Sequence, residues 1–171
     1  KRERRDAKCP RCGELERARL QHLVTTDVLE SRNCNAQALL HIAPENAFRL
    51  ALSKRFGTYV SGDLNRPDVD RRFDVQAIPF GDGSFDVVFA SYVLEYAEDD
   101  RRAIGEIYRV LKPGGLAFLP DPLLYATTID HERRDACTSH MHDPGMDYFD
   151  RFRALFRQVA IHHAEEIGRA S

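Results

Sequence analysis

Residues 78–119, IPFGDGSFDVVFASYVLEYAEDDRRAIGEIYRVLKPGGLAFL, hold a strand, a helix and a second strand in succession, and the remaining sequence is read outward from them. FDVVFASYVL is a near-continuous apolar run, the pattern of a strand covered on both faces in a parallel sheet. Asp99 stands where a helix N-cap belongs, and Ile104, Ile107, Tyr108 and Leu111 recur at i, i+3, i+4 and i+7. Pro113 and Gly114 end that repeat, and LAFLP reads as the next strand. A helical crossover between parallel strands is right-handed, so this segment predicts one side of a doubly wound sheet.

Upstream, AQALLHIA (36–43) is a short apolar run bounded by turn residues, read as a strand that leads directly into a helix. Pro44 fits the first turn of that helix, where its missing N–H costs nothing. Glu45 complements the helix dipole, and Gly57 stops the helix after Phe56. TYVSGDL (58–64) is a second strand ending in Asp63. NRPDVD is too short and too proline-broken for a helix, so a third strand is expected near Arg72–Val75. Leu15, Ala18, His22 and Leu29 mark an amphipathic helix over residues 14–29. Downstream come a polar stretch at 121–145, a helix around 147–156, and QVAIHH (158–163) as a last strand. Alternating strands and helices predict an α/β fold with a doubly wound, mostly parallel, Rossmann-like sheet. Two units are expected: a basic segment, 1–34, with CPRC and an amphipathic helix, and the α/β domain, 35–171.

The chain has 171 residues, 43% hydrophobic and 30% charged, enough for one domain with a real core. A formal net charge of −2 argues against a whole-molecule polyanion binder, although residues 1–19 carry eight Lys/Arg against four Asp/Glu. Nucleic acid is therefore disfavoured as a partner. No uncharged run approaches the roughly 18 residues needed to span a bilayer, so no membrane partner is expected. No signal-peptide pattern opens the chain, and its first residue, Lys1, suggests a fragment or a processed form. Four cysteines in a chain this long do not form a disulfide framework, which favours a reducing cytoplasm.

With these elements placed, residues 78–119 resemble the middle of class I S-adenosylmethionine-dependent methyltransferases. In that family a turn of the form LPF-x-D-x-SFD precedes the fourth strand, and a helix ending E-x-x-R-V-L-K-P-G-G leads into the fifth. A narrower resemblance is to a bacterial, methyltransferase type 11-like subgroup. It rests on CPRCGELER at 9–17, LHIAPE at 40–45 and GMDY at 145–148. The resemblance implies a methyltransferase-like Rossmann domain over 35–171, S-adenosylmethionine as cofactor, and a small-molecule acceptor. Too little chain follows QVAIHH for a seventh strand, so the sheet is expected to be small, with an edge suited to a homodimer.

Ligands of open α/β sheets sit beyond the carboxyl ends of the strands at the switch point. That groups His41–Glu45, Asp63, Asp74 and Ser91–Glu95. Asp63 lies about 20 residues past the first strand, where an acid accepts from ribose hydroxyls, and the family pattern gives it the same role; the alternative is a turn cap. Asp74 and Val75 match the family's adenine contacts, against a plain ion pair of Asp74 with Arg71 or Arg72. Ile78 and Phe80 can cover the adenine, but core packing is the stronger expectation. Ser91 and Tyr92 end the fourth strand, where donor and acceptor meet in this fold, and Glu95 either orients a substrate or is an exposed helix start.

The glycine-rich loop of the family is absent. Ala43 and Pro44 stand in its place, and His41 replaces the usual acid. A neutral imidazole can accept the same hydrogen bond, or Glu45 supplies the carboxylate instead; the alternatives are His41 as a packed strand residue and a pocket altered to bind something else or nothing. Methyl transfer leans on positioning more than on a base. His131, His140 and His142 are candidates to take a proton, against a reading as exposed loop histidines.

Cys9 and Cys12 have zinc-knuckle spacing but supply two of four ligands, so a zinc site needs Cys34, or Cys137 with His140 and His142. No G-x-G-x-x-G occurs, which disfavours a nicotinamide dehydrogenase. DPLL at 121 lacks the second proline and aromatic of nucleic-acid amino-methyltransferases. Two other functions stay open: a non-catalytic binding module with this fold, and a cofactor-binding enzyme doing other chemistry such as cyclisation.

Overall fold

The computed structural model describes residues 15–123 and 125–162. Its elements are α1 (Glu16–Leu29), β1 (Ala38–Ile42), α2 (Asn46–Arg55), β2 (Thr58–Asp63), β3 (Arg71–Arg72), β4 (Phe85–Ala90), α3 (Asp100–Val110), β5 (Leu111–Phe118), β6 (Ile129–Asp130), β7 (His142–Asp143) and α4 (Phe149–Arg153). The first five strands form one parallel sheet in the order β3-β2-β1-β4-β5, and β6 pairs antiparallel with β7 as a separate hairpin. The doubly wound, Rossmann-like expectation holds. No helix among the described residues is long and apolar enough to cross a membrane.

Two-residue alternation along the strands builds one core on each face. Leu40, Ile42 and Val88 meet Ala103, Ile104, Ile107 and Val110 of α3, with Tyr148 and Phe152 beside them. Leu39, Val87 and Phe89 meet Phe48 and Leu52 of α2, Ala18 and Leu29 of α1, and Cys34. The part of the basic N-terminal segment within the described residues thus packs on the sheet.

The turn before β4 is held by α3. Glu106 Oε2 accepts the Ile78 N–H at 2.8 Å, and Arg109 donates to the Ile78 and Phe80 carbonyls at 3.0 and 2.8 Å. Arg109 also meets Glu106 and Asp82 at 2.7 and 2.8 Å. Asp99 caps α3 as read, accepting from Arg102 N at 2.9 Å. Asp86 Oδ2 accepts from Ala38 N and from Lys112 Nζ, both at 2.8 Å, and so ties the amino ends of β1, β4 and β5 together.

Five expectations are corrected. The third strand is only Arg71–Arg72, because Asp74 turns the chain by accepting the Gln76 N–H at 2.9 Å. α3 ends at Val110 rather than at Gly114. Leu111 already pairs with Phe85, and Gly114, at φ 77°, lies in the irregular stretch where the register to β4 shifts. Tyr108, read as part of the buried stripe, is 48% exposed, and Ala103 and Val110 fill the face instead. QVAIHH forms no strand over 158–162. Val159 packs sideways onto the core rather than joining a ladder, and His163 lies outside the described residues. The helix read at 147–156 is a short 3-10 turn, Met146–Tyr148, followed by α4.

Candidate active site

Strand order reverses between β1 and β4, whose carboxyl ends lie side by side. Just past each strand a residue other than glycine is in the left-handed region: Ala43, next after β1, at φ 50° and Tyr92, second after β4, at φ 54°. That conformation costs an L-residue about 1–2 kcal/mol. Each is held by one outward bond, Ala43 N donating to Gly62 O at 2.7 Å and Tyr92 N to Pro120 O at 3.0 Å. Ala43 therefore adopts the backbone that a glycine would adopt freely. Gly62 has no such substitute, since a Cβ there would meet the Phe73 ring at 2.1 Å.

His41 is fully buried on β1, edge-to-face against Phe89 at 5.1 Å. Its Nδ1 lies 2.9 Å from the Tyr59 hydroxyl and its Nε2 3.6 Å from Glu45 Oε2. Burial lowers the His41 pKa, with Glu45 opposing, so the ring is neutral. Next to a carboxylate, the favoured tautomer carries its proton on Nε2 and accepts the Tyr59 hydroxyl at Nδ1. His41 then supports Glu45. Burial pushes the Glu45 carboxyl up, but His41 and Ser91 outweigh it and hold it below the ordinary range. Glu45 Oε2 is buried with no hydrogen-bond partner among the described residues. Pro44 lies before α2 rather than in its first turn, because Glu45 takes the N-cap position, and the Pro44 carbonyl accepts from Arg66.

Asp63 Oδ1 accepts from Asn65 N and Arg66 N at 2.7 and 2.8 Å, which is the turn-capping geometry. Asp74 is engaged by the Gln76 side chain at 3.1 Å from both its oxygens, and the alternative pairing with Arg71 or Arg72 does not occur. The Val75 side chain is core, as are Ile78 and, packed against it, Phe80. Ser91 is buried and exchanges hydrogen bonds with Gln21 of α1 at 3.0 and 3.3 Å. Arg17 lies 4.3 Å over the Tyr92 ring. The structure thus brings His41, Ala43, Pro44, Glu45 and Ser91 around one seam, with Asp63 at the neighbouring tip of β2.

The β6–β7 hairpin packs beside the turn after β4, with Met141 N donating to Glu95 O at 2.7 Å. All three candidate histidines are paired there. His131 Nε2 and His140 Nδ1 share Asp143 at 3.0 and 2.9 Å, and His142 Nδ1 meets Asp130 at 2.7 Å. His142 is 7% exposed, so it is no loop ornament, and Arg151 joins Asp130 to Asp100 behind it. These contacts fasten the hairpin to α3 and α4.

Asp121 and Tyr148, to which no role is assigned above, prove distinctive together with Glu95. Glu95, expected to be an exposed helix start or a substrate contact, is 1% exposed and lies against Asp121, the residue that follows β5 and Pro120. Burial raises the Glu95 pKa, and burial with the Glu95 charge raises that of Asp121 well above normal. Tyr148 stands near Asp121 and Asp100 with its hydroxyl unpartnered among the described residues. An acid placed directly after an apolar parallel strand was the available signal for Asp121.

Among the described residues no group of three or more His, Cys, Asp or Glu is arranged to hold a metal ion. Cys34 is core, Cys137 is exposed, and the His140 and His142 rings are turned to carboxylates. Cys9 and Cys12 lie outside the described residues.

A family model described as a methyltransferase domain matches residues 30–119. A demethylmenaquinone methyltransferase of Renibacterium salmoninarum is 40% identical over 67 residues, 39% of this chain and 28% of that protein. The chain spans about a quarter of the length of these curated relatives. The YcgJ protein of Bacillus subtilis superposes with a TM-score of 0.58 at 20% identity, covering 80% of this chain and 67% of that one. The [4+2]-cyclase SpnF gives a TM-score of 0.60 at 20% identity, over 90% and 60% of the two chains. The matched strands and α3 are those that build the β1–β4 seam, and the chain belongs to the class I, S-adenosylmethionine-dependent methyltransferase family.

Proposed function

We propose that this chain binds S-adenosylmethionine at the β1–β4 seam and directs its methyl group to a small-molecule acceptor. The observation that carries this reading is the buried, unpartnered Glu45 Oε2 beside Ala43. A carboxylate kept ionised by His41 and Ser91, with one buried oxygen still lacking a close hydrogen bond, suits the ligand's ammonium group, the role the missing family acid would fill. The Asp63 carboxylate has its second oxygen available for ribose hydroxyls, and Val75 offers its backbone N–H, with Asp74, to adenine. The left-handed turn at Ala43 keeps the loop close enough for the methionine portion to pass. Bound there, S-adenosylmethionine supplies an activated methyl group on sulfur. The residues of this chain bind and orient it, and Tyr92 separates it from the acceptor side.

The relative named for demethylmenaquinone favours an aromatic, quinone-like acceptor. The fold likeness to a cyclase keeps a second reading, cofactor retained for ring closure, which product analysis by mass spectrometry distinguishes. Isothermal titration with S-adenosylmethionine and S-adenosylhomocysteine tests the main reading. Saturable binding that weakens in Glu45→Gln is expected. No heat and no thermal shift at millimolar ligand overturn it in favour of a non-catalytic module.

A further inference from the structure

A cavity of about 490 Å3 lies outside the seam, between α1, β5 and residues 148–162. Leu20, Val24, Leu119, Phe149, Phe152 and Val159 give it apolar walls, and Tyr92 places one part of it at the tip of β4. Its volume is within the range of small-molecule sites, which pair apolar walls with a few placed polar groups. Here the polar groups are Asp121 and Tyr148. Tyr148 is 1% exposed, and its hydroxyl has no partner among the described residues. Among the described residues both Asp121 carboxylate oxygens are buried with no donor other than the Glu95 carboxyl behind them, and Glu95 Oε2 is buried likewise. Buried polar groups are rarely left unpaired, so orphans gathered on one cavity call for a ligand that completes them.

We propose that this cavity binds a neutral, mainly apolar molecule through one hydroxyl head, which donates to Asp121 and accepts from the Tyr148 hydroxyl. The charge count favours a neutral head over an ionic one. Two buried carboxyls in contact cannot both ionise, so Glu95 and Asp121 hold one negative charge between them. Asp100 is neutralised by Arg151, and Arg17 stands over Tyr92 at the same end. His140 faces Glu95 from the hairpin but is paired with Asp143. The sum leaves little to draw a cation and a carboxylate to repel an anion. The proposal rests on the methyl-transfer reading only for the fate of the bound molecule, the hydroxyl head identifying the acceptor as phenol-like or alcohol-like.

The test is fluorescence titration of the whole chain with 2-naphthol, naphthalene, 2-naphthoate and 2-(aminomethyl)naphthalene. The chain contains no Trp, so the probe is read without indole emission beneath it. Expected is saturable 2-naphthol binding, at least tenfold tighter than the other three. Asp121→Leu and Tyr148→Phe each weaken it at least tenfold, while their thermal midpoints hold or rise because a buried orphan is removed. Both variants keep wild-type affinity for S-adenosylmethionine. Equal binding of naphthalene and 2-naphthol, or unchanged 2-naphthol affinity in both variants, overturns the proposal. Tighter binding of the ammonium or the carboxylate probe overturns it too. Loss of S-adenosylmethionine binding with 2-naphthol binding intact sinks the methyl-transfer reading and leaves this site standing.

Discussion

The two ends of the same parallel sheet are built on opposite rules. At the amino end of β4, polar groups are closely matched: Arg109 and Glu106 of α3 hold the Ile78–Asp82 turn, and Asp86 binds both Ala38 and Lys112. At the carboxyl end, Glu45, Glu95, Asp121 and Tyr148 each keep a buried atom without a hydrogen-bond partner among the described residues, and Ala43 and Tyr92 hold a left-handed backbone. Among the described residues one end is satisfied apart from Gln37 Oε1, just before β1, and the other is strained. The family's recognisable motif belongs mostly to the satisfied end, so its strength is a statement about architecture, whereas ligand chemistry is concentrated where the structure alone leaves groups unanswered.

Breaking the satisfied end should cost the most. Arg109→Ala removes an ion pair and the bonds to two carbonyls, and is expected to destabilise by about 2–4 kcal/mol, lowering Tm by roughly 5–15 °C. Calorimetric melting checks it, with S-adenosylmethionine affinity of the folded protein unchanged. Glu45→Gln reverses that pattern. It should leave Tm within about 3 °C and raise the S-adenosylmethionine Kd at least tenfold, a loss of about 1.4 kcal/mol in binding. Titration calorimetry and a melt on the same sample decide. A smaller effect is expected for Asp63→Asn, whose amide oxygen still caps the turn. Its Kd should rise about three- to tenfold from the weaker acceptor on ribose, with an unchanged melt.

Ala43→Gly is the finest probe. Glycine relieves the left-handed strain but loosens the unfolded chain by about 0.4–1 kcal/mol. The net is expected to be a gain below about 1 kcal/mol, seen as a Tm rise of a few degrees at most. A clear Tm fall would show that Ala43 contributes more through its methyl than it costs in backbone.

Legibility followed the same division. The FDVVFASYVL strand, the Asp99 cap and the Ile104–Ile107 face were readable because burial repeats with the period of the element. The end of α3 was misplaced since Lys112 to Gly114 look like a helix stop in sequence but were recruited into β5 by pairing with β4. At the site, the tips of β1, β2 and β4 could be located from topology alone. What could not be read was direction: His41 was placed on the right strand, but alternation turns it under α2, where it serves Glu45. Asp121 and Tyr148 lie far apart in sequence and acquire meaning only from the cavity they share.

The Asp86 carboxylate has one more consequence. It rivets β1, β4 and β5 together at their amino ends, whereas at the opposite ends the backbone ties run outward, from Ala43 to Gly62 and from Tyr92 to Pro120. β1 and β4 stay paired as far as Ile42 and Ala90, and a gap opens only between the loops that follow them. Glu45 and Ser91 are the side chains that meet across that gap, so a ligand seated there would act as a clasp on both halves at once.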